Sequence, residues 1–290
     1  MEVLYEQFIR ERQYLLNVSE KTVQAYRWAW RAFESALKGK PTVSKADVLL
    51  RVAELREQGL SPVTINTYLR SVNAFSNWMV KENHSETQTR IPRLKEERKV
   101  LQTFSDAHIA KLISFRGRSF GEQRTHLLAC MILDTGVRID EALSIERSTD
   151  INLDELLLKV KNGKGRKERR IPISMQMRKL LFRFMHQWKP AYGDMLLYAG
   201  QGGKVVQRNA LRDFKALCKH LSITGVRCSF HTMRHSFAVA YLRNGGDVFR
   251  LQRILDHNKL DMTRRYVNLQ TEDLQAVHQR LSLLAQAGRI

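Results

Sequence analysis

Residues 82–102, ENHSETQTRIPRLKEERKVLQ, divide the chain. They are polar and charged, follow no clear helical or strand period, and are interrupted by Pro92. Such a stretch reads as an interdomain linker, so each flank must build its own core. The boundaries that follow are a first domain over 1–81 and a second over 103–290. A chain of 290 residues is long enough for both. The basic residues Arg90, Arg93, Lys95, Arg98 and Lys99 fit a solvated linker and a segment tracking a phosphate backbone equally well.

The first domain reads as helical throughout. Ser19 is placed to cap EKTVQAYRWAWRAFESALKG, where Tyr26, Trp30, Phe33 and Leu37 recur at helical spacing. Ser44 can cap KADVLLRVAELREQG, which ends at Gly59. Ser61-Pro62 opens a third helix, because proline suits the first helical position. Its stripe of Ile65, Tyr68, Leu69, Val72, Phe75, Trp78 and Met79 is expected to be core.

The second domain mixes elements. A short helix is expected from Ser105 or Asp106 to Phe115, and an apolar one from Phe120 to Thr135, stopped by Gly136. LLLKV (156–160) and RRIPI (169–173) read as strands joined by a hairpin at Asn162-Gly163. From Ser174 the reading is again helical, apart from a strand or hairpin near Met195–Val206. The fold class is therefore mainly α, with a small antiparallel sheet in an α+β second domain.

Charge narrows the partners. Lys plus Arg number 49 against 29 Asp plus Glu, giving +20 and a pI near 10.2. A positive field of that size attracts polyanions, with nucleic acid first among them. The opening MEVLYEQFIRERQYLL mixes charges into its apolar residues and is no signal peptide. No apolar run is long enough to span a membrane. Cys130, Cys218 and Cys228 are scattered and odd in number, which fits reduced thiols in the cytoplasm rather than a disulfide framework or a zinc site.

Four short pieces combine residues suited to phosphate chemistry. In TGVRIDEAL, Arg138 and Glu141 are three apart, which brings carboxylate and guanidinium together. GKGRKERR carries Lys164, Arg166 and Lys167 on a glycine-flanked turn, where a cationic ribbon can enter a DNA groove or a lysine can donate a proton. HTMRH sets His231 and Arg234 on one helix face. LDHNKLDMTRRYVNL places Tyr266 nine residues after His257, behind Arg264 and Arg265. Taken singly, each has a plain structural explanation: an ion pair, a solvated turn, a packed histidine, a half-buried tyrosine.

Taken in order, Arg138, Lys164, His231-x-x-Arg234, His257 and Tyr266 resemble the catalytic signature of the tyrosine recombinases, integrases of the phage and Xer kinds. The specific motifs cover 103–290, and 1–81 resembles that family's helical core-binding domain more loosely. The resemblance implies a metal- and ATP-independent DNA strand transferase. Tyr266 would attack a phosphodiester to leave a 3′-phosphotyrosyl bond. Arg138 and Arg234 would grip the non-bridging oxygens, and Lys164 would protonate the departing 5′ oxygen. His231 would assist proton transfer, His257 would hydrogen-bond the phosphate, and Glu141 would orient Arg138. Arg166, Lys167 and Arg169 are the candidate DNA contacts.

The implied partners are double-stranded DNA, held between the two domains, three further copies in a tetramer on two sites, and accessory DNA-bending proteins. No cofactor or metal is expected. The tail TEDLQAVHQRLSLLAQ carries Leu274, Val277, Leu281 and Leu284, a stripe fit to dock on a neighbouring subunit or on its own domain. Two residues depart from the family pattern: Asp256 stands where glycine is common, and Phe230 where proline is common. A carboxylate at 256 should point away from the phosphate or pair with Arg264 or Arg265. The competing functions are a type IB topoisomerase and a non-catalytic DNA-binding protein on the same fold.

Overall fold

A computed structural model of the chain describes residues 1–97, 101–161, 168–190, 193–200 and 202–257, together with Thr263, Tyr266, His278 and Ser282. The chain forms two compact units, Met1–Lys99 and Val100–Ile290.

Unit 1 holds four helices: α1 (Glu2–Tyr14), α2 (Glu20–Leu37), α3 (Lys45–Glu57) and α4 (Pro62–Lys81). The serines expected as caps do cap: Ser19, Ser44 and Ser61 accept from the amides of Thr22, Asp47 and Thr64. Each such cap satisfies an amide that the helix itself leaves unpaired. The core is aromatic, with the Phe75 ring 4.8 Å from Tyr5, 5.6 Å from Phe8 and 5.9 Å from Trp78.

Beyond α4 the polar stretch is fastened to this unit. Asn73 exchanges two hydrogen bonds with the Ile91 backbone, at 2.8 and 3.0 Å. Asn66 does the same with Leu94, at 2.8 and 2.9 Å. Side-chain amides thus stand in for a neighbouring strand, and Ile91 is buried in the bundle core.

Unit 2 is arranged around α6 (Phe120–Thr135), which follows α5 (Asp106–Ser114). Thr125 through Ala129, Met131, Ile132 and Thr135 are buried, so α6 is covered nearly all round. A capping box of Ser119 and Glu122 starts it, and Gly136 ends it in the left-handed conformation at φ 65°. Then come α7 (Ile139–Ala142), α8 (Arg147–Asp150), β1 (Ile151–Asn152), β2 (Leu157–Val160) and β3 (Arg169–Pro172). The three strands form an antiparallel sheet in that order, with Leu158 opposite Ile171 and Val160 opposite Arg169. Leu158, Val160 and Ile171 are buried and join the sheet to the core. Residues 162–167, where the sequence places a hairpin turn, lie outside the described residues.

The chain continues through α9 (Met175–Gln187), a small pair β4 (Tyr198–Ala199) and β5 (Gly203–Lys204), α10 (Gln207–His220), α11 (Phe230–Arg243) and α12 (Val248–Leu255). Helices α5, α9, α10 and α11 all pack on α6. Phe230 occupies the first position of α11, where proline would be at home. Here the Ser229 side chain supplies the cap, and the Phe230 ring stacks on Phe214 at 4.9 Å. A smaller cluster joins Ala238, Val239 and Leu242 of α11 to Leu251, Leu255 and Tyr266.

At Gly136 side chains of α11 and α12 press on the end of α6. A Cβ there would stand 2.4 Å from the Phe237 ring and 2.8 Å from Leu255 Cδ2. Gly136→Ala should therefore combine left-handed strain with overpacking, for a loss of about 2–5 kcal/mol. Urea unfolding followed by circular dichroism measures it, and a change below 1 kcal/mol would show that the helices can part here at little cost.

Candidate active site

Arg138 is the residue before α7, and Glu141 sits in that helix's only turn. The carboxylate turns back on both ends of the arginine, accepting from its amide and from Nη1, each at 2.9 Å. The sequence TGVRIDE thus forms a closed loop: glycine stops α6, and a three-residue return locks the guanidinium. Glu141 is buried, whereas the Arg138 side chain is 34% exposed.

The end of α12 meets this loop. Its last carbonyls have no partner within the helix. Arg169 Nε donates to Ile254 at 3.1 Å, Arg234 Nη2 to Leu255 at 2.5 Å, and Arg138 Nη2 to Asp256 at 3.1 Å. Arg234 also donates to the Gly136 carbonyl at 2.6 Å. Arginines from the start of α7, from β3 and from α11 therefore converge on three consecutive peptide oxygens. Arg169 was expected on the DNA-facing surface. Instead its side chain is 12% exposed and lies on both Glu141 oxygens, at 3.1 and 2.7 Å. Burial against a carboxylate and a helix end is what turns it inward.

Asp256 ends α12 with φ 51° and ψ 52°, in the left-handed region. Glycine adopts that conformation most readily and aspartate tolerates it. Its carboxylate lies 3.5 Å from Arg138 Nη1; Arg264 and Arg265, the partners considered from sequence, lie outside the described residues.

His257 follows directly and is buried, with Nδ1 3.0 Å from the Thr263 hydroxyl. Tyr266 is 3% exposed. Its ring lies nearly parallel to that of His257, with centroids 6.3 Å apart. Its hydroxyl is 2.7 Å from His235 Nδ1, and the His235 ring packs edge-on against His231 at 4.0 Å. The structure so brings together Arg138, Glu141, His231, Arg234, His257 and Tyr266. Lys164, Arg166 and Lys167 lie outside the described residues. Sequence reasoning missed His235 and Thr263. His235 was legible as the residue one helical turn after His231, while Thr263 had no signal.

Burial and mutual repulsion set the electrostatics. Burial first, then the Arg138 cation, lowers Arg234 to about 10, so it stays charged at neutral pH. Burial would raise the Glu141 carboxyl, but the Arg169 fork and the Arg138 amide outweigh it and hold the group below the usual range. Burial, then Arg234 and Arg138, push His257 down to about 4. Among the described residues three guanidiniums thus face two carboxylates, a surplus that suits an anionic ligand. None of these groups lines the apolar cavity of about 500 Å³ that α5, α6, α9 and α11 enclose.

The His257 value lies below the 6.5 of a free imidazole, so the unfolded chain binds the proton first. The neutral ring contributes stability that is complete above about pH 6.5 and is lost as pH falls toward 4. At pH 5 this loss amounts to about 2 kcal/mol. Denaturant titrations of the DNA-free protein at pH 7.5 and pH 5 should show it, and His257→Gln should lose less stability between them. Equal losses would remove His257 as the titrating group.

Residues 102–273 match the model of the phage integrase family. The tyrosine recombinase XerD of Staphylococcus saprophyticus is 23% identical, over 96% of this chain and 98% of that protein. The Tn1549 transposon integrase, solved in complex with a circular intermediate DNA, shares the fold with a TM-score of 0.80 at 20% identity, covering 96% of this chain and 98% of that one. The XerH site-specific recombinase, solved on its difH substrate after cleavage, gives a TM-score of 0.74 at 19% identity, over 95% and 83% of the two chains. With more than half of its length matched by the family model, the chain belongs to the phage integrase family, the tyrosine recombinases.

Proposed function

We propose that the protein is a site-specific recombinase that cuts and rejoins double-stranded DNA through Tyr266. The phenol oxygen attacks the scissile phosphorus and the bond to the 5′ oxygen breaks. A 3′-phosphotyrosine and a free 5′-hydroxyl result. Attack by a 5′-hydroxyl from a second strand reverses the step and returns the phenol. The phosphotyrosine conserves the bond energy, so no step calls for a nucleotide cofactor or a metal.

The observation that carries this reading is the setting of Tyr266. Its hydroxyl is on His235 Nδ1, and its ring lies over His257, one residue from the arginine-bound end of α12. A phenol with an ordinary pKa near 10 is a poor nucleophile at pH 7 until its proton has somewhere to go. His235, with His231 packed against it, receives that proton. Arg138 and Arg234 hold the non-bridging oxygens as these gain charge, each contributing on the order of 10²–10³ in rate. His257 hydrogen-bonds the same phosphate, and Lys164 protonates the leaving 5′ oxygen.

Duplex DNA as partner is supported by the +20 charge and by the Tn1549 integrase and XerH, both solved on DNA. A tetramer on two sites, with DNA-bending accessory proteins, belongs to the same reading. Apart from His278 and Ser282, the tail that would link its subunits lies outside the described residues.

A target duplex can be obtained by covalent capture from a randomised pool. A nicked version of it, which loses the fragment needed for religation, should trap the protein as a 3′ adduct. Tyr266→Phe should abolish that adduct, and an adduct that survives the change would sink the assignment. On the same duplex, Lys164→Ala should slow cleavage far more with a 5′-oxygen leaving group than with a 5′-sulfur one, which leaves without a proton. Equal slowing would remove Lys164 as the acid.

A further inference from the structure

We infer that Arg169 is a positioning residue for strand cleavage, acting through Arg138 and His257, and not a DNA contact. The inference rests on the recombinase reading of this site. Arg169 opens β3, five residues after Lys164 in the sequence. Its guanidinium is committed inward on two sides. Nη1 and Nη2 donate to the two oxygens of Glu141, at 3.1 and 2.7 Å, and Nε donates to the Ile254 carbonyl at 3.1 Å.

Each Glu141 oxygen is shared. Oε1 also takes Arg138 Nη1, and Oε2 also takes the Arg138 amide. Glu141 is buried, so without Arg169 its carboxylate would lose half of these donors where water cannot replace them. Arg138 would then be held by an under-neutralised partner and free to swing toward it. At the same time the Ile254 carbonyl, three residues before His257, would lose its donor. One side chain thus fixes the direction of a phosphate-gripping arginine and the turn that carries a phosphate-bonding histidine.

Geometry explains the choice of residue. The planar fork of arginine reaches a carboxylate edge and a carbonyl together, which one ammonium group cannot do. A DNA contact at this position would instead require the guanidinium to face solvent.

The test is single-turnover cleavage of the captured duplex by the full chain, with binding measured separately. Arg169→Met should lower the cleavage rate at saturating DNA by about 10²-fold, the scale of a 1 Å misplacement. Its non-covalent Kd should stay within about threefold of wild type, and the slope of log Kd against log salt should not change. Arg169→Lys keeps the charge and should recover little of the rate. In a Glu141→Gln background, adding Arg169→Met should cost less than about threefold, because the two act as one unit.

A DNA contact predicts the opposite pattern: weaker binding, a salt slope reduced by about one, and rescue by lysine. Any of those results overturns the inference. A merely structural loss would lower the fraction of active protein and leave the rate of that fraction unchanged, and this result overturns it too. Should the wild-type chain form no adduct at all, the recombinase reading fails. Should wild type cleave and Arg169→Met cleave as fast, only the role of Arg169 fails.

Discussion

Ile254, Leu255 and Asp256 close the last turn of α12, and a different arginine donates to each of their carbonyl oxygens. Burying an unpaired cation costs several kcal/mol, so three guanidiniums cannot gather in a protein interior without acceptors. The carboxyl end of a helix supplies them: orphan carbonyls and the negative end of the macrodipole. A hydrogen bond to a charged group contributes about 1.5–3 kcal/mol, enough to hold the cluster together before any DNA arrives. The placement of His257 and the closeness of α6 to α11 and α12 at Gly136 follow from that cluster.

The same cluster explains why the site is ready for an anion. Carbonyls satisfy hydrogen bonds without cancelling net charge. Glu141 is divided between Arg138 and Arg169, which leaves Arg234 charged and supported mainly by peptide oxygens. On the proposed function, a phosphate in the transition state carries the charge that these arginines lack. Electrostatic preorganisation of this kind avoids reorganising solvent at the moment of reaction. The cost shows at His257, which is driven neutral by burial and by the neighbouring cations.

Much of this was legible in the sequence because local chemistry decides it. Serine caps, the glycine stop at Gly136, and the strands 156–160 and 169–173 depend on neighbours within a few residues. So does the Arg138–Glu141 pair. What the sequence hid was long-range. Nothing local says that Arg169 lies on Glu141, 28 residues earlier in the chain, or that the Asn66 and Asn73 amides hold the polar stretch after α4. An exposed-looking basic turn and an aperiodic segment read as solvated until the tertiary partners are known. His235 was visible in HTMRH but gained meaning only when the Tyr266 hydroxyl was found on it.

Asp256 shows how a departure from the family pattern is accommodated. The position is left-handed, which accounts for the glycine common there, and a side chain costs roughly 1–2 kcal/mol in that region. The carboxylate recovers part of this by pairing with Arg138 at 3.5 Å, but both partners are about 30% exposed and the pair is weak. Weakness matters here. A strong internal anion on Arg138 would compete with the phosphate that the proposed function assigns to it. Asp256 meets Arg138 only at 3.5 Å and at a part-solvated edge, so on the proposed function this contact leaves the guanidinium available to a phosphate. Glu141 is buried and divided between two arginines, so its hold on Arg138 is not screened by water in this way. One carboxylate therefore fixes Arg138 through both its amide and its guanidinium, and the other adds only a weak pair.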